Sequence, residues 1–123
     1  MPNKMNELPK ERWKDYLNAL SNRQANMPVS VRIEGGEQGG KELGRMPLVG
    51  ISCELKGSEA DAIEITLADQ GKSQANVTHM VESPQRILVD DTGEGQVTRV
   101  DIESKAKVKT VLFFQETQQT ANK

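Results

Sequence analysis

The chain has 123 residues, of which 35% are hydrophobic and 28% charged, and its formal net charge is −2. That length fits a single domain with its own hydrophobic core. Because both signs of charge are mixed along the sequence, it offers no continuous basic field for nucleic acid. The one cysteine, Cys53, excludes an internal disulfide and a cysteine-based zinc site.

The amino-terminal segment has no apolar core of the kind that a signal peptide carries. No apolar run approaches the roughly 20 residues that a transmembrane helix needs. We therefore expect a cytoplasmic protein with no membrane partner.

The first predicted element is a helix that starts near Pro9 and ends near residues 21–23. Proline suits a first helical turn, where its missing N–H costs nothing, and the next apolar residues recur at the spacing of one helix face. These residues are Trp13, Tyr16, Leu17 and Leu20.

From Pro28 onward, alternation with a period of two residues predicts short strands. The segments are residues 28–36, 47–55, 62–69, 76–82, 86–91, 96–104 and 108–115. In the second of them the apolar set is Val49, Ile51, Cys53 and Leu55. The last contains four consecutive apolar residues, 111–114, which predicts burial on both faces.

Short strands without intervening helices favour antiparallel pairing. We therefore predict an α+β domain over residues 1–115. Its N-terminal helix packs on a six- to seven-stranded antiparallel sheet, curled or closed into a small barrel. The polar residues 116–123 have no periodic pattern and are predicted to form a disordered tail.

The glycine-rich stretch from Gly35 to Gly44 matches the beginning of a phosphate-binding P-loop, with Gly40 and Lys41 at the expected spacing. Glu42 then stands where the motif requires Ser or Thr. The following residues predict a strand, so the helix N-terminus that would bind phosphate is missing. We interpret the stretch as a flexible hairpin loop and expect no cofactor.

His79 is the only histidine, and it is the weak candidate for a catalytic residue because its pKa lies near neutrality. Alternation places it on the face that carries Val77 and Val81, where a hydrogen-bonded, partly buried histidine is the commoner case. No spacing of carboxylates around it predicts a metal site. Cys53 lies in the middle of a predicted strand and is interpreted as a core residue.

Lys105, Lys107 and Lys109 alternate, which places them on one face of a predicted strand. Such a row can contact phosphates or an acidic partner. More often, it is a solvated face or a protected sheet edge.

Two stretches, residues 8–21 and 77–91, resemble a family of small uncharacterised bacterial proteins described only as a domain of unknown function. The matching residues are Pro9, Trp13, Leu17, Thr78, His79, Pro84 and Arg86. The resemblance implies a bacterial cytoplasmic protein with one helix followed by strands. It implies no activity, cofactor or catalytic residue.

These observations favour a non-enzymatic interaction or accessory module that binds another protein or assembles with itself through its sheet edges. The alternative is a small enzyme or ligand-binding barrel that uses His79, with Asp, Glu or Arg86 nearby.

Overall fold

The computed structural model describes residues 5–36, 40–56, 61–68, 76–91 and 97–114. The predicted tail at 116–123 lies outside the described residues.

The described residues form one helix and one eight-stranded sheet. The helix α1 spans Trp13–Arg23 and follows a short 3₁₀ helix at Lys10–Arg12. The strands are β1 Asn6–Glu7, β2 Pro28–Glu34, β3 Lys41–Glu54, β4 Ala62–Ala68, β5 Asn76–Glu82, β6 Pro84–Asp91, β7 Val97–Ser104 and β8 Lys109–Phe114.

The strand order is β1-β6-β7-β8-β2-β3-β4-β5, and every neighbouring pair is antiparallel. The α+β class is therefore confirmed, but the predicted strand number is too low and the sheet is not closed into a barrel. The additional strand is β1, whose two exposed residues are too few to show alternation. β1 and β5 remain the two ends of the sheet.

β3 connects the two halves of the sheet because it pairs with β2 through residues 41–47 and with β4 through residues 48–54. The sequence predicted a loop for much of the first half, where Gly44 precedes Pro47. A register shift between Leu48 and Gly50 adds one residue to β3. That bulge reverses the alternation locally.

Two core predictions in this segment are wrong, and the bulge accounts for the first of them. Leu48 is buried, whereas the predicted core residue Val49 is 48% exposed and Leu55, beyond the end of β3, is 37% exposed. Ile51 and Cys53 are buried as predicted. In β8, Val111, Leu112 and Phe114 are buried and Phe113 is half-buried, because β8 lies in the middle of the sheet between β7 and β2.

The helix covers an edge that the sheet would otherwise leave open. Beyond Pro47, β3 has no pairing with β2, and the Ser21 Oγ atom of α1 accepts the Ile51 N–H at 3.0 Å. Leu48 N–H donates to Met27 O, just after the helix, at 3.0 Å. The predicted buried face of the helix is confirmed for Trp13, Leu17 and Leu20, and Tyr16 packs against the core as a partly buried residue.

No helix in the described part of the chain is long and apolar enough to cross a bilayer.

Candidate functional site

His79 points into the interior of the curled sheet. It lies opposite Ile65 of β4, and its Nε2 atom is 3.1 Å from the Thr110 Oγ1 atom of β8, which is fully buried. Burial lowers the pKa of His79, and the positive charge of Lys41 lowers it further. The imidazole is therefore neutral at pH 7 and makes a hydrogen bond across the core.

Arg86, the one companion of His79 that was predicted by number, has its partner on another strand. Arg86 forms an ion pair with Glu103 of β7, with 3.7 Å between Nε and Oε1. Its neighbour Ile87 is fully buried, so strand alternation directs Arg86 away from the core. No cluster of three or more His, Cys, Asp or Glu side chains suited to a metal ion occurs among the described residues.

Cys53 belongs to the hydrophobic core. Burial raises the pKa of its thiol, and the negative charge of Asp61 raises it further. A reactive cysteine requires the opposite change, a lowered pKa and access to solvent. The thiol is therefore a packing group, as interpreted from the sequence.

The glycine-rich stretch leads into a strand. β3 begins at Lys41, so the helix N-terminus that a P-loop places after its lysine is replaced by extended chain. Gly35 and Gly36 both have positive φ, +85° and +66°. A Cβ atom on Gly35 would lie 2.5 Å from the Lys107 carbonyl oxygen, so this glycine allows two backbone segments to meet.

The lysine row is not a strand face. β7 ends at Ser104 and β8 begins at Lys109, so Lys105 and Lys107 occupy the turn that joins them. The alternation prediction fails because Lys107 adopts a left-handed backbone conformation, with φ of 66°. The turn nevertheless gathers the three lysines around one pocket of about 410 Å³.

The outer face of the sheet carries a second charged group. The Arg99 Nε and Nη2 atoms donate to both carboxylate oxygens of Asp101, at 2.8 and 3.0 Å. Arg32 and Arg99 both lie over the Phe113 ring, at 5.0 and 5.6 Å from its centroid. Asp101 is only 2% exposed. This group was missed because no sequence signal predicts that β2, β7 and β8 are neighbours.

β5 forms one end of the sheet. All seven of its residues pair with β4, from Ala62 opposite Glu82 to Ala68 opposite Asn76. In the described part of the chain, no strand pairs with the other edge of β5. Backbone N–H and C=O groups on that edge are therefore oriented outward.

A protein-family model matches nearly the whole chain. The model of a family described as "Family of unknown function (DUF5335)" matches residues 4–123. No curated protein matches the chain, and no solved structure matches it.

Proposed function

Because the chain belongs to DUF5335, a family of unknown function, we propose from its structure that it is a non-enzymatic interaction module. In this proposal, β5 pairs through its open edge with an extended segment of another protein or of a second copy. Such strand addition gains affinity from main-chain hydrogen bonds and specificity from the side chains on either side.

The supporting observation is that β5 differs from the other edges of the sheet. β1 is only two residues long, and the helix and the residues after it occupy the edge of β3 beyond Pro47. β5 has seven residues. Proteins normally block such edges by shortening them, covering them or adding charge.

The composition of β5 also suits pairing. It contains no lysine, proline or glycine, and Glu82 is its single acidic residue. His79 is held neutral in the core. Met80 is 44% exposed, and alternation places it on the face opposite His79. A paired segment would therefore meet little charge repulsion and an available apolar contact.

A matched pair of variants tests this proposal. Met80→Lys places a charge on β5, and Met27→Lys places the same charge on a methionine of similar exposure, 50%, after α1. If the partner of β5 is a second copy, we expect Met80→Lys to reduce self-association, measured by sedimentation. If the partner is another protein, we expect Met80→Lys to reduce the amount of that protein captured by cross-linking. Met27→Lys should leave both measurements unchanged. Equal behaviour of the two variants would contradict a role for the β5 edge.

The competing prediction, a ligand or catalytic site at His79, requires a different variant. His79→Ala removes the contact with Thr110 but leaves the backbone edge of β5 in place. The interaction-module proposal expects lower stability and retained pairing. Loss of a bound ligand or of an activity at unchanged stability would favour the His79 site instead.

A further inference from the structure

We infer that the partner of the β5 edge is a second copy of this chain, which pairs antiparallel with β5 about a two-fold axis at His79. The inference rests on the proposed function and names the partner of the same edge. β5 has seven residues, Asn76–Glu82, and His79 is its middle residue. An axis at the middle residue gives every residue of one strand a counterpart in the other.

A two-fold interface brings the same residues together from both sides, so its surface must be self-complementary. For an antiparallel strand pair, the sequence read backwards must suit the sequence read forwards. β5 meets this condition about His79. The opposed pairs are Asn76 with Glu82, Val77 with Val81, and Thr78 with Met80.

The inner face of such a pair is apolar at its flanks and neutral at its centre. Val77, which is partly exposed, meets the buried Val81 of the second copy, and this contact forms twice. Opposed β-branched residues stabilise antiparallel pairs. The two His79 rings meet at the axis. Burial and then the charge of Lys41 lower the pKa of His79, so the two neutral rings lie side by side without repulsion at pH 7.

The outer face of the pair gives each exposed side chain of β5 a matching neighbour. Met80 is 44% exposed and lies opposite the methyl group of Thr78 of the second copy. Asn76 and Glu82 are exposed at the two ends of β5. The amide NH₂ group of asparagine donates hydrogen bonds that a carboxylate accepts, so Glu82 of each copy meets a donor.

The single charge of β5 favours the antiparallel direction. In the antiparallel pair, the length of the strand separates Glu82 of one copy from Glu82 of the other by roughly 20 Å, at about 3.4 Å per residue. Salt screens charges over that distance, because the Debye length is about 8 Å at physiological ionic strength. A parallel pair would place the two Glu82 side chains directly beside each other, and like charges in that position are destabilising.

A shifted register shortens the pairing. An axis at Met80 would place Ser83 opposite Val77 of the second copy. Ser83 follows β5 and has a left-handed backbone with φ of 52°, which a strand does not continue through. That register would pair only residues 78–82 and would leave Asn76 unmatched. Any axis away from the middle residue pairs fewer residues of the strand.

Pairing of one strand per copy gives a small interface, and small interfaces form weak, reversible complexes. We therefore expect a dimer that forms as the protein concentration rises, measured by sedimentation over a concentration series. Met80→Lys should shift the equilibrium toward the monomer, because it places a charge in the middle of the pair.

A change of charge at Asn76 is specific to this partner. Asn76→Lys places a cation opposite Glu82 twice in each dimer, so self-association should become about two- to tenfold tighter. Asn76→Glu places like charges there and should weaken self-association by a similar factor. Asn18→Lys and Asn18→Glu make the same changes at an exposed asparagine of α1 and should leave self-association unchanged.

Disulfide trapping tests the register. Copies with Thr78→Cys are mixed with copies with Met80→Cys, one of them enlarged by a tag, under a mild oxidant. Directly opposed residues have Cα atoms about 4.5–5.5 Å apart, a distance that a disulfide spans, whereas residues of the same number are diagonal neighbours at about 7–8 Å. We expect the mixed disulfide to form well before a disulfide between identical copies. Cys53 is 5% exposed and does not compete.

Melting temperatures of the reduced variants show whether their fold is intact. Where a cysteine at position 78 or 80 lowers the melting temperature, Asn76→Cys mixed with Glu82→Cys reports the same register from the exposed ends of the strand. Asn18→Cys alone measures the rate of cross-linking by random collision.

The results that would overturn the inference differ in what they leave of the proposed function. Dimers that form disulfides between two Met80→Cys copies, but no mixed disulfide, would exclude the axis at His79 and retain pairing at β5. Equal effects of the Asn76 and Asn18 variants would likewise exclude this register. A chain that stays monomeric, while Met80→Lys prevents cross-linking to another protein, would exclude the second copy alone. A monomeric chain whose cross-linking Met80→Lys does not change would overturn both proposals.

Discussion

The environment of His79 makes the stability of the protein depend on pH. In the unfolded chain this side chain takes up a proton near its ordinary pKa of about 6.5. In the folded protein, burial and then Lys41 lower its pKa. Between those two values the unfolded state binds more protons than the folded state, so stability falls as the pH falls.

We therefore expect the free energy of unfolding, measured by urea denaturation, to decrease as the pH is lowered from 7 through the window below about 6.5. His79→Gln should make that dependence flatter. A dependence that is unchanged in His79→Gln would show that another group is responsible.

Three glycines of the β2–β3 hairpin differ in their backbone conformation and in the space around them. Comparing them distinguishes the cost of a strained backbone from the cost of a steric contact. Gly35 has positive φ and would bring a Cβ atom to 2.5 Å from the Lys107 carbonyl oxygen. Gly40 has positive φ of +87° with open space around it, and Gly44 has open space and no positive φ. The three positions therefore need glycine to different degrees.

Alanine at Gly35 should cost most, about 2–3 kcal/mol, because a strained backbone and a contact add together. Alanine at Gly40 should cost about 1 kcal/mol from the left-handed conformation alone. At Gly44 it should be neutral or slightly stabilising. Thermal and urea unfolding check the order. Equal costs at Gly35 and Gly40 would exclude the contact with Lys107 as a cause.

At the scale of elements, Ser21 connects the helix to the sheet. Its Oγ atom accepts the Ile51 N–H, a group that β2 does not reach. Ser21→Ala leaves that partly buried donor without its partner, and we expect a loss of about 1 kcal/mol. Asn18→Ala, an exposed change on the same helix, should cost little or nothing. Chemical denaturation of both variants measures the difference.

The sequence predicts most elements because their periodicity is local. The helix face of Trp13, Leu17 and Leu20 and seven strand segments follow from the spacing of apolar residues. β1 is missed because two residues cannot alternate. The first half of β3 is missed because Gly44 and Pro47 are typical of loops, whereas pairing with β2 stabilises a strand there.

At the scale of the whole molecule, the strand order determines which backbone groups are protected. β7, β8 and β2 lie in the interior of the order, whereas β1 and β5 are its ends. In native-state hydrogen exchange we expect amides of the interior strands to exchange slowest and outward amides of β5 to exchange early. Protection of β5 equal to that of β8 would show that its edge is occupied in the isolated protein.

The strand order itself is not visible in the sequence, because it joins segments that are far apart along the chain. Asn6 pairs with Val89, and Val29 pairs with Phe114. The contact between His79 and Thr110 likewise spans 31 residues. Single-residue patterns predict that His79 faces inward, but they carry no signal of the residue it meets.

The two-sided pairing of β3 limits how the length of this chain can change during evolution. An insertion or deletion of one residue within residues 41–50 would move every following side chain of β3 to the opposite face. Ile51 and Cys53 would then leave the core, while exposed polar residues such as Ser52 would enter it. Related sequences should therefore keep the length of β3 fixed. Changes in length should be found in the connections between strands.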